Sequence, residues 1–211
     1  MSLAIAKKYE QDGEFTKMRE EYFKLHLDGD KSALYELGNI YFKAASDLMT
    51  AFSDMVERED IIGNKDDFNA ISDTVTILIN SNLRNMKQAY EYAHSAGNSN
   101  ASYMLGIYGA LMATYNKKTP IEARIDQVAA LQHLESSARS GNKKAAKYVS
   151  KYYFEESNIS KSIEFMSLCS DIPVTEENIQ SLTDEYSIYD YHGDLCHLVM
   201  YINSDIPRKR F

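Results

Sequence analysis

The chain has 211 residues, with 44% hydrophobic and 26% charged residues, three prolines and no tryptophan, a balance that fits one helix-dominated, soluble domain or an elongated array. Its net charge of −8 argues against a general nucleic-acid binder, which needs a basic face to neutralise phosphates. Two cysteines, Cys169 and Cys196, are too few for a disulfide framework. The first ten residues lack the apolar core of a secretion signal, and the most apolar patch, residues 75–79, is far shorter than the ~18 residues of a membrane helix. The expectation is a cytoplasmic chain with reduced thiols and no membrane partner.

In chain order, Ile5, Ala6 and Tyr9 carry an aliphatic, small and aromatic trio that recurs downstream, and Gly13 follows four residues after the tyrosine. Residues 15–27 read as a partner helix, with Phe15, Met18, Tyr22 and Leu25 at helical spacing and Asp28-Gly29 as the stop. A second repeat opens at Gly29. Residues 31–42 form its first helix, with Ala33, Leu37, Gly38 and Tyr41 on the packing side. Residues 44–59 keep helical spacing, Gly63-Asn64 interrupts it, and residues 66–80 resume with Phe68, Ile71, Val75, Leu78 and Ile79 on one side. The segment from about 44 to 80 is therefore an elongated or an inserted helical piece, or a degenerate repeat. Residues 85–96 close the unit with Met86, Ala89, Tyr90 and Ala93 inward.

The third repeat begins at Gly97 with Ala101, Leu105, Gly106 and Tyr108, and its first helix spans residues 100–115. Thr119-Pro120 has the form of a cap and first-turn proline, and residues 129–138 give the second helix. The fourth begins at Gly141 with Ala145, Val149, Ser150 and Tyr153, followed by a helix over 160–168 bearing Ile163, Phe165 and Met166. A glycine within a helix costs about 1 kcal/mol against alanine, so Gly38 and Gly106 at equivalent points predict close helix approach. Beyond Pro173 the pattern fades. Residues 175–186 and 194–201 still read as helices, the second offering Leu195, Leu198, Val199 and Ile202 to the core, as a blunted end of an array should.

The register Gly-x-x-x-Ala-x-x-x-Leu-Gly-x-x-Tyr, preceded by a helix ending Ala-x-x-Gly-Asn as in Ala138-x-x-Gly141-Asn142, resembles the Sel1-like repeat, a relative of the tetratricopeptide repeat. The likeness covers residues 5–154, weakening to about 171, and leaves 172–211 as a helical cap. It implies an all-α, right-handed solenoid of antiparallel helix pairs and a bacterial or phage adaptor or regulator that binds a protein or peptide on its concave face. By that likeness the groove is lined by the residues three, six and ten after each boundary glycine: Ser32, Tyr35 and Asn39; Asn100, Tyr103 and Ile107; Lys144, Lys147 and Lys151. Three lysines at one helical spacing on an acidic chain predict recognition of acidic groups on a partner; the plainer reading is a solvated face. An inhibitor or immunity protein that sequesters a toxin or enzyme is the alternative function.

Catalytic and metal signals are weak. Asp190, His192, Asp194, Cys196 and His197 crowd together, but a zinc site wants about four converging ligands and no second Cys/His pair sits at finger spacing. A hydrolase built on Cys196 and His197 is a third, less favoured reading, since a lone thiol at helical spacing is more often a small core residue. His26, His94 and His133 fall near predicted helix C-termini, where an imidazole complements the dipole. Gly106-x-x-Gly109 lies inside a helix and is no phosphate loop. The expectation is a non-enzyme with no cofactor and no metal.

Overall fold

A computed structural model describes residues 3–57, 65–115, 120–184, 193 and 195–200. Its described elements are α1 (Leu3–Gln11), α2 (Phe15–Leu27), α3 (Ala33–Glu57), α4 (Lys65–Ser95), α5 (Ser99–Tyr115), α6 (Pro120–Arg139), α7 (Lys143–Glu155), α8 (Ile159–Ser167) and α9 (Ile179–Asp184). Residues 195–200 are also helical, and no strand occurs among the described residues. The fold is all-α. No described helix is long and apolar enough to cross a membrane. The chain divides into two compact lobes, the first carrying α1–α4 and the second α5–α9.

The punctuation between helices is local chemistry. Gly13, Gly29, Gly97 and Gly141 take φ values of 72°, 97°, 85° and 92°, the left-handed region that closes a helix and that glycine enters without a Cβ penalty. The residue after each boundary glycine then donates its N–H back across the turn: Asp30 to the Leu25 carbonyl, Asn98 to Ala93 and Asn142 to Ser137, at 3.0, 3.0 and 3.1 Å. Ser157 repeats the device between α7 and α8 at φ 60°, with the Asn158 N–H donating to the Tyr153 carbonyl at 2.8 Å. Asn142 and Asn158 next cap α7 and α8, their side-chain oxygens accepting from the backbone N–H groups of the first turn.

In the first lobe, α1 packs on α2 and α3 on α4. The residues at the predicted packing positions, Ala6, Met18, Tyr22, Leu25, Ala33, Leu37, Met86, Ala89, Tyr90 and Ala93, are buried. Phe15, expected to share the packing face of α2, is instead exposed. Helix α3 starts at Ala33 rather than Lys31 because the Asp30 carboxylate accepts both the Ser32 N–H and the Ser32 hydroxyl, at 2.8 and 2.7 Å, and holds that stretch as a turn. The segment 44–80 is no separate helix. Its described residues prolong α3 and α4 into one elongated antiparallel hairpin, in which the Phe52 and Phe68 rings meet at 5.8 Å while the Tyr90 ring lies against Gly38. Along α4 the buried residues are Phe68, Ser72, Ile79, Leu83, Met86, Ala89, Tyr90 and Ala93, one face of the helix at largely three-four spacing. Ile71 and Leu78, expected on that side, flank the stripe and are exposed.

In the second lobe, α5 pairs with α6, α7 with α8, and α6 also packs on α7. Ala101, Leu105, Ala130, Leu134, Ala138, Ala145, Val149, Ser150, Phe165 and Met166 are buried. A Cβ built on Gly106 would overlap the Leu134 side chain and lie 3.0 Å from the Ala130 carbonyl oxygen, so this glycine sets the separation of α5 and α6. Ser150 occupies the equivalent point of the next hairpin and exchanges bonds with its opposite number: its hydroxyl donates to the Ser162 carbonyl at 2.8 Å, and the Ser162 hydroxyl donates to the Ser150 carbonyl at 2.9 Å. The described part of the predicted 175–186 helix starts only at Ile179. Before it, the Asn178 side chain accepts the Thr175 N–H at 2.8 Å and donates to the Pro173 carbonyl at 2.9 Å, tying 173–178 into a turn. Leu195, Leu198 and Val199 are buried as expected; Ile202 lies outside the described residues.

Candidate functional site

The nine residues assigned to the groove fall in three sets, one on each of α3, α5 and α7 or at its start. Ser32 is exposed in the turn before α3. Tyr35 and Asn39 are half-buried and engaged with α4: the Tyr35 and Tyr90 rings lie 5.7 Å apart, and the Tyr90 hydroxyl donates to the Asn39 side-chain oxygen at 2.8 Å. Burial pushes the Tyr35 hydroxyl pKa up, while the Asn39 side chain pulls it back. Both residues thus serve the α3–α4 seam.

On α5, Asn100 is exposed, whereas Tyr103 and Ile107 are 4% and 0% exposed and offer no open surface. The physical reason lies in the helix itself. Every residue from Ala101 to Ile107 is buried, and a helix that is apolar or small on all sides is enclosed on all sides. Asn100 meets the turn before α7, because the Asn142 side-chain amide donates to its side-chain oxygen at 3.1 Å. In the first lobe the Asn98 amide reaches the Lys31 carbonyl at 3.2 Å in the same manner. Asn98 and Asn142, each next to a boundary glycine, thus make the same kind of tie within their own lobes.

Lys144, Lys147 and Lys151 lie on one face of α7, Lys144 exposed and the other two half-buried. With Lys143 they give this 13-residue helix four lysines against a single acid, Glu155, at its last position. Lys143 pairs with Asp171 at 3.7 Å. Burial pushes the Cys169 thiol pKa up, and the Lys147 and Lys143 charges pull it back. The opposite side of α7 is committed to packing. There Tyr153 stacks on Phe165 with ring centroids 5.9 Å apart, and its hydroxyl donates to Glu135 and accepts from Lys161.

The thiols are placed for packing. Cys169 and Cys196 are both buried, and burial raises both pKa values, the reverse of the depression that activates a cysteine nucleophile. His197, beside Cys196, is exposed. Among the described residues no group of three or more His, Cys, Asp or Glu is placed to hold a metal ion, and Asp190, His192 and Asp194 lie outside those residues. His26 and His94 occupy the last turns of α2 and α4. His133 sits well inside α6, which runs on to Arg139.

One concavity was not anticipated from the sequence. A cavity of about 300 Å³ opens between α2, α3 and α4, lined by Arg19, Phe23, Leu37, Tyr41, Asn85, Gln88 and Ala89. The only trace in the sequence is Asn85 and Gln88, two amides one helical turn apart beside the apolar Met86 and Ala89. No family model matches the chain, and no curated protein or solved structure matches it.

Proposed function

We propose that the chain is a Sel1-like helical-repeat array that binds a protein or peptide partner, with an acidic segment of that partner seated along the α7 lysines. The observation that carries this reading is the collection of four lysines on one helix of a chain whose net charge is −8. A local positive strip on an acidic body attracts acidic segments and repels basic ones, giving selectivity and a fast, salt-dependent encounter. The repeat reading is supported by devices that return in register: left-handed boundary glycines, the Gly-Asn link to the preceding repeat, and a small residue nine positions on at the closest helix approach. Stacked hairpins of this kind present one helix of each pair along a continuous face, the arrangement of a right-handed solenoid with a binding groove.

The test is affinity enrichment from the native host with the wild-type chain and with a Lys144→Glu, Lys147→Glu, Lys151→Glu variant. The reading predicts partners recovered by the wild type and lost from the variant. Several co-purifying components would mark an adaptor, and one stoichiometric partner an inhibitor. Equal recovery by both chains would contradict the role given to α7.

A further inference from the structure

We propose that the cavity between α2, α3 and α4 is a binding site for a carboxylate carried on a compact apolar body. Its lining divides by chemistry. Leu37 and Ala89 are buried and form an apolar base, and Phe23, set edge-on to Tyr92 with ring centroids 5.9 Å apart and planes at 77°, forms an apolar wall. Arg19 from α2, Tyr41 from α3, and Asn85 and Gln88 from α4 supply a guanidinium, a phenol and two amides to the same space. None of these four side chains hydrogen-bonds or ion-pairs with another described residue. Lys17, Lys24, Lys43 and Lys87 of the same lobe each meet a carboxylate, whereas Arg19 faces the cavity without one.

No acid lines the cavity, so the charge on Arg19 is not cancelled from within it. A guanidinium presents a planar fork that matches a carboxylate with two parallel hydrogen bonds, and amide and phenol groups donate to the remaining lone pairs. An apolar base beside that donor set selects the body attached to the carboxylate, and about 300 Å³ is the lower end of small-molecule pockets. A free aromatic or branched aliphatic acid and the carboxyl end of a peptide share this chemistry. The site is separate from the α7 lysines and does not depend on the reading given to them.

The experiment is a ¹H–¹⁵N NMR titration of the full chain with phenylacetate, following the side-chain amide signals of Asn85 and Gln88 and the Arg19 Nε signal. Saturable shifts at these groups are expected, with a dissociation constant on the order of 1 mM for so small a probe. Benzyl alcohol and inorganic phosphate should each bind at least about tenfold more weakly, the first lacking the charge and the second the apolar body. Arg19→Met, which keeps an unbranched stem at an exposed position, should weaken phenylacetate by about tenfold or more. Unchanged backbone signals elsewhere would show that this variant is folded, and Gln88→Glu, which sets a negative charge at the rim, supplies an independent second loss. A short peptide ending in a free phenylalanine carboxylate that binds more tightly than phenylacetate would identify a chain end as the source, and equal affinity a free acid. Absence of saturable shifts, an equal response to phosphate, or full binding by Arg19→Met would overturn the proposal.

Discussion

Ser157 shows what a single dihedral is worth. It holds φ 60° at a turn whose counterparts are glycines, and a side chain in that region costs about 1 kcal/mol or more. Ser157→Gly should therefore raise unfolding free energy by about 0.5–1 kcal/mol, and Gly29→Ala should lower it by about 1 kcal/mol, although open space surrounds a Cβ at Gly29; urea denaturation of both variants checks the pair. Gly106 obeys the opposite logic. It lies inside α5, where alanine is intrinsically favoured by about 1 kcal/mol, yet the added Cβ meets Leu134 and the Ala130 backbone. Overpacking of this kind costs about 1–3 kcal/mol, so Gly106→Ala should destabilise despite its better helix propensity, and an increase in stability would refute the close approach. These glycines were legible in the sequence because their spacing repeats. Ser157 was not, since nothing in Glu155-Glu156-Ser157-Asn158 marks a left-handed residue.

At the scale of the element, the paired serines of α7 and α8 act as one unit. Each hydroxyl bonds the facing carbonyl and also lies 3.1 Å from the other hydroxyl, so Ser150→Ala and Ser162→Ala should each cost about 1 kcal/mol and each should weaken the bond that the other keeps. The double variant should depart from the sum by about 0.5 kcal/mol or more, as coupled neighbours do; strict additivity in a double-mutant cycle would show that the two bonds are independent. The elongated α3–α4 hairpin was only half legible. Helical spacing on both sides of Gly63-Asn64 identified the helices, but the inward face of α4 was misplaced at Ile71 and Leu78. Apolarity alone does not say which side of α4 meets α3, its main partner; the buried Ser72 lies on that side and carries no hydrophobic signal. In α5 the failure was of another sort. Spacing from the boundary glycine points Tyr103 and Ile107 at a groove, although a stretch reading Ala101-Ser102-Tyr103-Met104-Leu105-Gly106-Ile107 has no polar side to present to solvent. The cavity between three helices arises from segments far apart in the chain, and no local periodicity announces it.

For the whole molecule, buried tyrosines tie stability to alkaline pH. Burial, then the charges of Glu10 and Glu36, pushes the Tyr22 hydroxyl pKa up to about 12. Burial does the same for Tyr148, helped by Glu155, to about 12, and raises Tyr90 as well. Each phenol holds its proton more tightly in the folded chain than in the unfolded one, so this contribution is complete below the unfolded value of about 10 and is lost as pH rises through about 12. Stability should fall above about pH 10, and Tyr22→Phe should flatten that fall; denaturation followed across the alkaline range, with tyrosinate absorbance recorded alongside, checks both.

The central claim, that α7 receives an acidic segment, is tested most directly by the anisotropy of a dye-labelled, glutamate-rich peptide titrated with the chain. A control chain with Lys7, Lys8 and Lys87 changed to glutamate carries the same net charge as the Lys144→Glu, Lys147→Glu, Lys151→Glu variant, so the two differ only in where charge was reversed. The account predicts saturable binding by the wild type that weakens with salt, survives in the control, and drops by about tenfold or more in the α7 variant. Absence of saturation, or the same curve for the control and the α7 variant, would contradict it.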